Sequence, residues 1–385
     1  MENKKIHESV LLVVPTIDTE GPSAGRDDMW GDWEAVMGAM QELHSTVRSS
    51  LKDSFGHPLV ISWFLLDWAG YNPNDPEFKR RGHDSALHAV WRKYTTLLLT
   101  AKNRSITGDD IYWHYHHPPK DGSWGWNKDW NDSRWYEYVL GKRLLDFRHF
   151  PSVYRAGKYV ENNETSHWLE KWIPFDMSNI SPVRRPFHDW SQATTSSVPY
   201  HPDADNYQKK GNMRRLIGRS LPVAAKGGSG ALDAVEVEKA CVEAYEKGRA
   251  LFSFHTHDYY KSALNEFRST HDMIDTYARQ VGVRFRYVNA LEAFREFVPF
   301  RDSHPSVEIQ YEAGRATVRA HGELFTDQPF FVVETSRGTI ERLDGSIKVK
   351  SEWIYHVGES VSRMGAAVTD NSGAIAVDCV QSLLS

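Results

Sequence analysis

Two acidic residues, Asp18 and Glu20, lie in the run Thr16-Ile17-Asp18-Thr19-Glu20-Gly21-Pro22. On an extended segment, carboxylates at i and i+2 point to the same side, and the Gly-Pro that follows forces a turn that leaves them displayed. One can hold a cation while the other stays free as a base; the plainer alternative is a pair of helix-capping acids. A second cluster is His114-Tyr115-His116-His117. His114 and His116 share a face if a strand runs through them, and His114 and His117 share one if a helical turn begins there. Either pairing brings two imidazoles to one ion, and zinc suits two histidines plus a carboxylate. A third is His255-Thr256-His257-Asp258, where an imidazole could protonate a leaving group and Asp258 could orient it. Arg155, in Val153-Tyr154-Arg155-Ala156-Gly157, is a cation able to keep a carboxylate ionised and aimed. Taken singly, a core histidine is a satisfied hydrogen-bonder and an arginine a solvated surface residue. Four such clusters, each at the end of an apolar run, have the composition of one hydrolytic site.

The elements that must position them follow from the hydrophobic pattern. Buried strands are expected over 10–16, 59–66, 110–114, 152–155, 250–255 and 284–288, and helices over 33–50, 86–100, 135–145, 165–172, 234–247, 272–280 and 290–297. Such alternation predicts parallel strands covered by helices, and seven or so units favour a distorted (β/α) barrel with its reactive groups at the C-terminal strand ends. Residues 181–221, rich in Pro, Ser, His and Asp, read as one long functional loop, and 226–232 as a Gly-rich connector. Beyond Pro305 short alternating strands (307–311, 315–321, 330–335, 346–349 and 374–380) predict a small β-sandwich. The expected domains are a barrel over 1–304 and an all-β domain over 305–385.

Composition narrows the function classes. The chain has 385 residues with Lys plus Arg 46 and Asp plus Glu 51, a net charge of −5, which argues against a general nucleic-acid binder. Cys241 and Cys379 cannot make a disulfide framework. No apolar run is long enough for a membrane span, and the start of the chain lacks a signal-peptide pattern, so a cytoplasmic protein is expected. The 14 Trp are either core residues or flat surfaces for stacking on sugars.

In their order along the chain these clusters resemble the polysaccharide deacetylase (NodB-like, carbohydrate esterase family 4) family, over roughly residues 10–297. The resemblance implies Asp18 as the base and Glu20 as a metal ligand, with the histidine cluster supplying two further ligands. Arg155-Ala156-Gly157, Trp168-Leu169 and Phe175-Asp176-Met177-Ser178 before Pro182 resemble the third motif and the strand after it. Asp189-Trp190-Ser191 and Val198-Pro199-Tyr200 are similar to the fourth-motif region, and Phe254-His255-Thr256-His257-Asp258 to the last motif, with residues 284–294 as the closing strand and helix. The family spaces its two ligand histidines four residues apart, but Pro118 stands four beyond His114, so the second is His116 or His117, or else the metal is held differently or absent.

The resemblance thus implies a metal-dependent hydrolase removing an acetyl or similar acyl group from an amino sugar of a bacterial surface glycan or its precursor. Such a precursor would be nucleotide- or lipid-linked. Asp18 takes a proton, aided by Arg155, and His257 or His255 protonates the amine. One divalent ion, zinc ahead of cobalt or nickel, sits on Glu20, His114 and His116 or His117. Trp113, Trp124, Trp126 and Trp130, with Asp189 and Trp190, are the expected sugar contacts, and the β domain could pair subunits. The rival readings are a catalytically degenerate barrel that only binds glycan, and a hydrolase of non-sugar amides or glycosidic bonds.

Overall fold

The run Val10–Thr19 forms the first strand, β1, and nine of its ten residues are buried, the signature of a parallel strand covered on both faces. The computed structural model describes residues 9–23, 26–67, 83–118, 129–132, 134–223, 232–299, 304–349, 351–358 and 360–381. After β1 come β2 (Ser62–Leu66), β3 (Asp110–Tyr115), β4 (Val153–Ala156) and β5 (Phe175–Asn179). A two-residue hairpin, β6 (Arg184–Arg185) with β7 (His188–Asp189), precedes β8 (Leu216–Pro222), β9 (Arg249–His257) and β10 (Arg284–Tyr287). Seven parallel strands, β1-β2-β3-β4-β5-β8-β9, close into a barrel because β9 pairs with β1. One edge of β1 is taken by β9 over residues 10–18. The other is shared, with β10 at Val10–Val13 and β2 at Thr16–Thr19, so β10 fills the gap where β1 and β2 part.

Strand alternation sorts side chains into two layers. From β1 and β9, Leu11, Val13, Ile17, Ala250, Phe252 and Phe254 face the helices, among them Trp33–Glu42, Ala234–Lys247 and Ala263–Val281. Leu12, Val14, Phe64, Tyr112, Val153, Met177 and Leu251 fill the barrel interior. Phe294 joins them from the short helix Ala290–Arg295 and stacks on Phe175 at 4.7 Å.

The second unit is a sandwich of two antiparallel sheets. β11 (Ser306–Glu312), β12 (Arg315–His321), β16 (Glu352–His356) and β15 (Ser346–Val349) make one. β14 (Ile340–Leu343), β13 (Phe330–Thr335), β17 (Val361–Thr369) and β18 (Ile375–Gln381) make the other. Val318, Phe331, Val333, Trp353, Tyr355 and Met364 fill the space between them. On the opposite face of β13, Phe330 and Val332 join Ile340 and Ala367 in packing on Leu140, Leu144 and Trp172 of the barrel. The two units therefore share a core through the helix Trp135–Phe147.

The expected parallel β/α barrel followed by a β-sandwich is what the chain forms. Two local expectations change. The stretch taken as one loop over 181–221 ends in a barrel strand, β8, whose period-two signal is hidden by Gly218 and Arg219. A Cβ on Gly218 would come within 3.0 Å of both Met177 and Phe294, and buried Arg219 is neutralised by Glu236 at 2.5 Å. The helix expected over 272–280 runs from Ala263 to Val281. The connector expected over 226–232 lies, apart from Leu232, outside the described residues.

A Cβ at Gly141, in the middle of the packed helix, would lie 3.0 Å from Val332 and 3.1 Å from Ile340 of the sandwich. Gly141→Val should therefore cost about 1–3 kcal/mol by overpacking, despite the better helix former. Thermal unfolding should show one transition at a lower midpoint, because the core on both sides of the helix is shared.

Candidate active site

The register of the barrel collects the polar residues at one end. Asp18 on β1 stands opposite His257 on β9, and His114 on β3 opposite Arg155 on β4. Alternation continues the interior face from Val14 through Thr16 to Asp18, from Tyr112 through His114 to His116, and from Leu251 through Ser253 and His255 to His257. Asp18, Glu20, His114, His255 and His257 line one cavity of about 240 Å³ at this mouth.

Arg155, fully buried, ties the site together. Its Nε donates to Asp18 Oδ2 at 2.9 Å and its Nη1 to the Met177 carbonyl at 3.3 Å. Its own carbonyl lies 3.2 Å from His114 Nδ1. In the neutral ring that contact places the proton on Nδ1 and so frees Nε2, which faces Glu20, to bind an ion. Asp18 Oδ1, the second carboxylate oxygen, is buried with no hydrogen-bond partner.

Glu20, His114 and His116 could hold a metal ion. Glu20 Oε1 lies 3.2 Å from His114 Nε2 and 3.1 Å from His116 Nε2, and the two nitrogens are 3.2 Å apart. Donors about 2.0–2.1 Å from a tetrahedral ion sit roughly 3.3–3.4 Å from one another, so this set has the spacing and the N/O chemistry of a zinc-type site. Burial alone would lift the Glu20 carboxyl, but the charge of His116 and hydrogen bonds from His114 and His116 hold it well below the usual range. Burial lowers His116. In His114 the same effect is outweighed by Asp18 and Glu20, and its pKa rises. A glycine makes room for the arrangement. A Cβ at Gly157 would fall 2.1 Å from the His116 ring.

The His255–Asp258 run divides its labour. His257 Nε2 lies 3.9 Å from Asp18 Oδ2 and 3.6 Å from Glu20 Oε1, and burial pushes its pKa down to about 4. Both nitrogens of His255 are engaged, Nε2 with the Tyr159 hydroxyl at 2.8 Å and Nδ1 with Ser220 Oγ at 3.2 Å. Asp258 does not orient a histidine, as its neighbourhood in sequence suggested. It accepts from the backbone N–H groups of Glu20 and Gly21, at 3.0 Å each, and from the Tyr94 hydroxyl at 2.6 Å. It is therefore a clamp on the loop that carries Glu20, with burial pushing its pKa up to about 7.

Several expected contacts fall elsewhere, for reasons of strand parity and packing. His117, just beyond β3, turns to the outer side, stacked on Trp130 with its Nδ1 3.0 Å from the Tyr115 hydroxyl, so of the two candidates it is His116 that joins Glu20 and His114. Trp113, also outward and fully buried, packs with Tyr115, Trp130, Tyr154 and Trp168 and has no face for a sugar. Trp130 belongs to the same layer. Trp190 is buried and donates to the Tyr159 carbonyl at 2.9 Å, which makes it a support. Asp189 accepts from the Ser191 N–H and hydroxyl and pairs with Arg184 at 3.5 Å, away from the cavity. Trp124 and Trp126 lie outside the described residues. Sequence reasoning passed over Lys158, Tyr159, Arg185, His188, Tyr259 and Tyr260 of the cavity and Tyr94 behind it, and it gave Gly157 no role of its own. Only Gly157 carried a signal, as a small residue after Arg155.

No protein-family model matches the chain, and no curated protein matches it. Among solved structures it is similar to one described as a polysaccharide deacetylase from Mycobacterium smegmatis, with 13% identity, 79% of this chain and 96% of that chain covered, and a TM-score of 0.38. An engineered protein is similar at 12% identity, covering 91% and 69%, with a TM-score of 0.22. A Cellulomonas fimi endo-β-1,4-mannanase double mutant is similar at 12% identity, covering 96% and 93%, with a TM-score of 0.26. No helix among the described residues is long and apolar enough to cross a membrane.

Gly157→Ala should displace His116 and weaken binding of zinc or cobalt by about 10–100-fold, the range seen when groups supporting a ligand are lost. His117→Ala should leave that affinity within a factor of about two, because His117 turns to the outer side. Titration of the metal-free protein followed by absorbance of bound cobalt measures both.

Proposed function

We propose that the chain is a metal-dependent amide hydrolase that removes an acetyl or similar acyl group from an amino sugar of a bacterial surface glycan or its precursor. The observation that carries this reading is the pairing of two differently used carboxylates in one cavity. Glu20 converges with two imidazoles at 3.1–3.2 Å, while Asp18 has one oxygen bound by Arg155 and the other buried and without a partner.

A divalent ion on Glu20, His114 and His116, for which we propose zinc, would supply Lewis acidity toward the amide carbonyl and toward the attacking water. The protein's own groups handle protons and position. Asp18 takes the water proton on Oδ1, because Oδ2 is committed to Arg155. Arg155 keeps Asp18 aimed into the cavity through the hydrogen bond from its Nε to Oδ2. His257 is neutral at rest, so it must gain a proton before it gives one. Asp18, once it holds the water proton, is the source, its Oδ2 standing 3.9 Å from His257 Nε2, and the departing amine nitrogen is where that proton ends. His255, spent on Tyr159 and Ser220, holds the cavity wall and is not the acid of this scheme.

Asp18→Asn should lower turnover by about 10²–10⁴-fold, the loss expected for a general base, and should keep the metal. Glu20→Gln should lose the metal. Acetate release from N-acetylated sugar oligomers, with elemental analysis of each variant, checks both. Reversed metal contents would exchange the two roles. A wild-type protein that takes up no zinc, cobalt or nickel and releases no acetate would overturn the reading in favour of a glycan-binding barrel.

A further inference from the structure

The wall of the cavity opposite β1 contains backbone in an unfavourable conformation. Lys158 and Tyr159 are successive non-glycine residues in the left-handed region, at φ 52° and 58°. Each such residue costs on the order of 1 kcal/mol, so something must hold them there. Two side chains do so. His188 Nδ1 lies 2.9 Å from the Lys158 carbonyl, and Trp190 Nε1 donates to the Tyr159 carbonyl at 2.9 Å. Both come from the β6–β7 hairpin region, and the result is that Lys158, Tyr159, Arg185 and His188 all line the cavity that holds Asp18 and Glu20.

Two features of this wall point to a ligand. His188 is 6% exposed, and because its Nδ1 is the donor to a carbonyl, its Nε2 is an acceptor; that atom is buried and has no partner. Burial pushes the pKa of this imidazole down to about 4, so the ring is neutral and Nε2 stays an acceptor at neutral pH. A buried acceptor without a donor is costly unless a bound molecule brings one. The charges matter as well. The acids lining the cavity, Asp18 and Glu20, are bound by Arg155 and the two imidazoles, and Lys158 and Arg185 add two cations to this wall. Within the hairpin it is Arg184 that pairs with Asp189, and no carboxylate pairs with Arg185 among the described residues.

We infer that the cavity selects an amino sugar bearing an anionic group, a carboxylate or a phosphate, with His188 Nε2 accepting from a sugar hydroxyl and Lys158 and Arg185 facing the anion. The inference rests on the deacylase reading of the same cavity and adds a substrate class to it.

The test compares binding of four probes to the full-length protein by calorimetry: N-acetylglucosamine, its 1-phosphate, its 6-phosphate and N-acetylglucosaminuronic acid. At low salt at least one anionic probe should bind about tenfold tighter than the neutral sugar, and the preference should shrink as salt is added. The phosphate and uronate arms tell which anion is taken. Lys158→Met and Arg185→Met together should abolish the preference. His188→Asn keeps an N–H for the Lys158 carbonyl and leaves no acceptor at the Nε2 position, so it should weaken neutral and anionic probes alike, by roughly 2–10-fold. Equal binding of neutral and anionic probes, a preference that survives the double substitution, or no binding by any probe would overturn the inference. Acetate release, measured separately, speaks to the deacylase reading: preferential anion binding without it would leave the pocket as inferred and sink the hydrolase.

Discussion

The barrel closes through β1, and the site depends on how that strand is held. Its edge toward β9 is paired along nine residues, while its other edge is divided between β10 below and β2 above. With both edges taken, β1 can neither slip nor tilt, and a slip of one residue would turn Asp18 out of the interior. The same pairing sets Asp18 beside His257, and the β3–β4 register sets His114 beside Arg155. Closure thus converts four clusters far apart in sequence into one ring of side chains.

Arg155 then does for the polar groups what closure does for the backbone. Its guanidinium fixes one oxygen of Asp18, and its carbonyl fixes the tautomer of His114. Fully buried charges of this kind are stable only when paired and hydrogen-bonded, so losing the arginine would leave an uncompensated carboxylate at the barrel mouth. Asp258 holds the loop after β1 from the other side by taking the N–H groups of Glu20 and Gly21. Asp18 and Glu20 are thus aimed by different neighbours, which leaves one oxygen of Asp18 open while Glu20 faces the imidazoles.

One group of aromatic residues has a structural role. Trp113, Trp130 and Trp172 lie with Tyr115, Tyr136 and Tyr154 in the layer between β3, β4 and the sandwich, where Phe330 and Val332 complete it. Tryptophan is large enough to fill the space between a curved barrel and a flat sheet, and close approach at Gly141 and Gly365 lets the surfaces meet. Among the described residues, Tyr159, Tyr259 and Tyr260 line the cavity beside its histidines, and no tryptophan does.

Residue types and the period-two and helical patterns were enough to read an alternating β/α chain with an all-β end, and to single out Asp18, Glu20, Arg155 and the two histidine clusters. That is because apolar periodicity and runs of metal-binding side chains are local properties. β8 escaped because a glycine and an ion-paired arginine interrupt its pattern, and only the packed barrel explains them. The choice between His116 and His117 could not be read from spacing. It depends on whether the strand geometry of β3 continues one residue further, and the room at Gly157 decides that. Sequence proximity likewise made Asp258 a partner of His257 and Trp113 and Trp190 sugar contacts, when strand parity and packing turn all three to other work. The chain by itself determined which chemistry is available, since side-chain types do not change on folding. Which atoms meet, and which are left open to a ligand, was decided by register and close packing between segments that lie far apart in sequence.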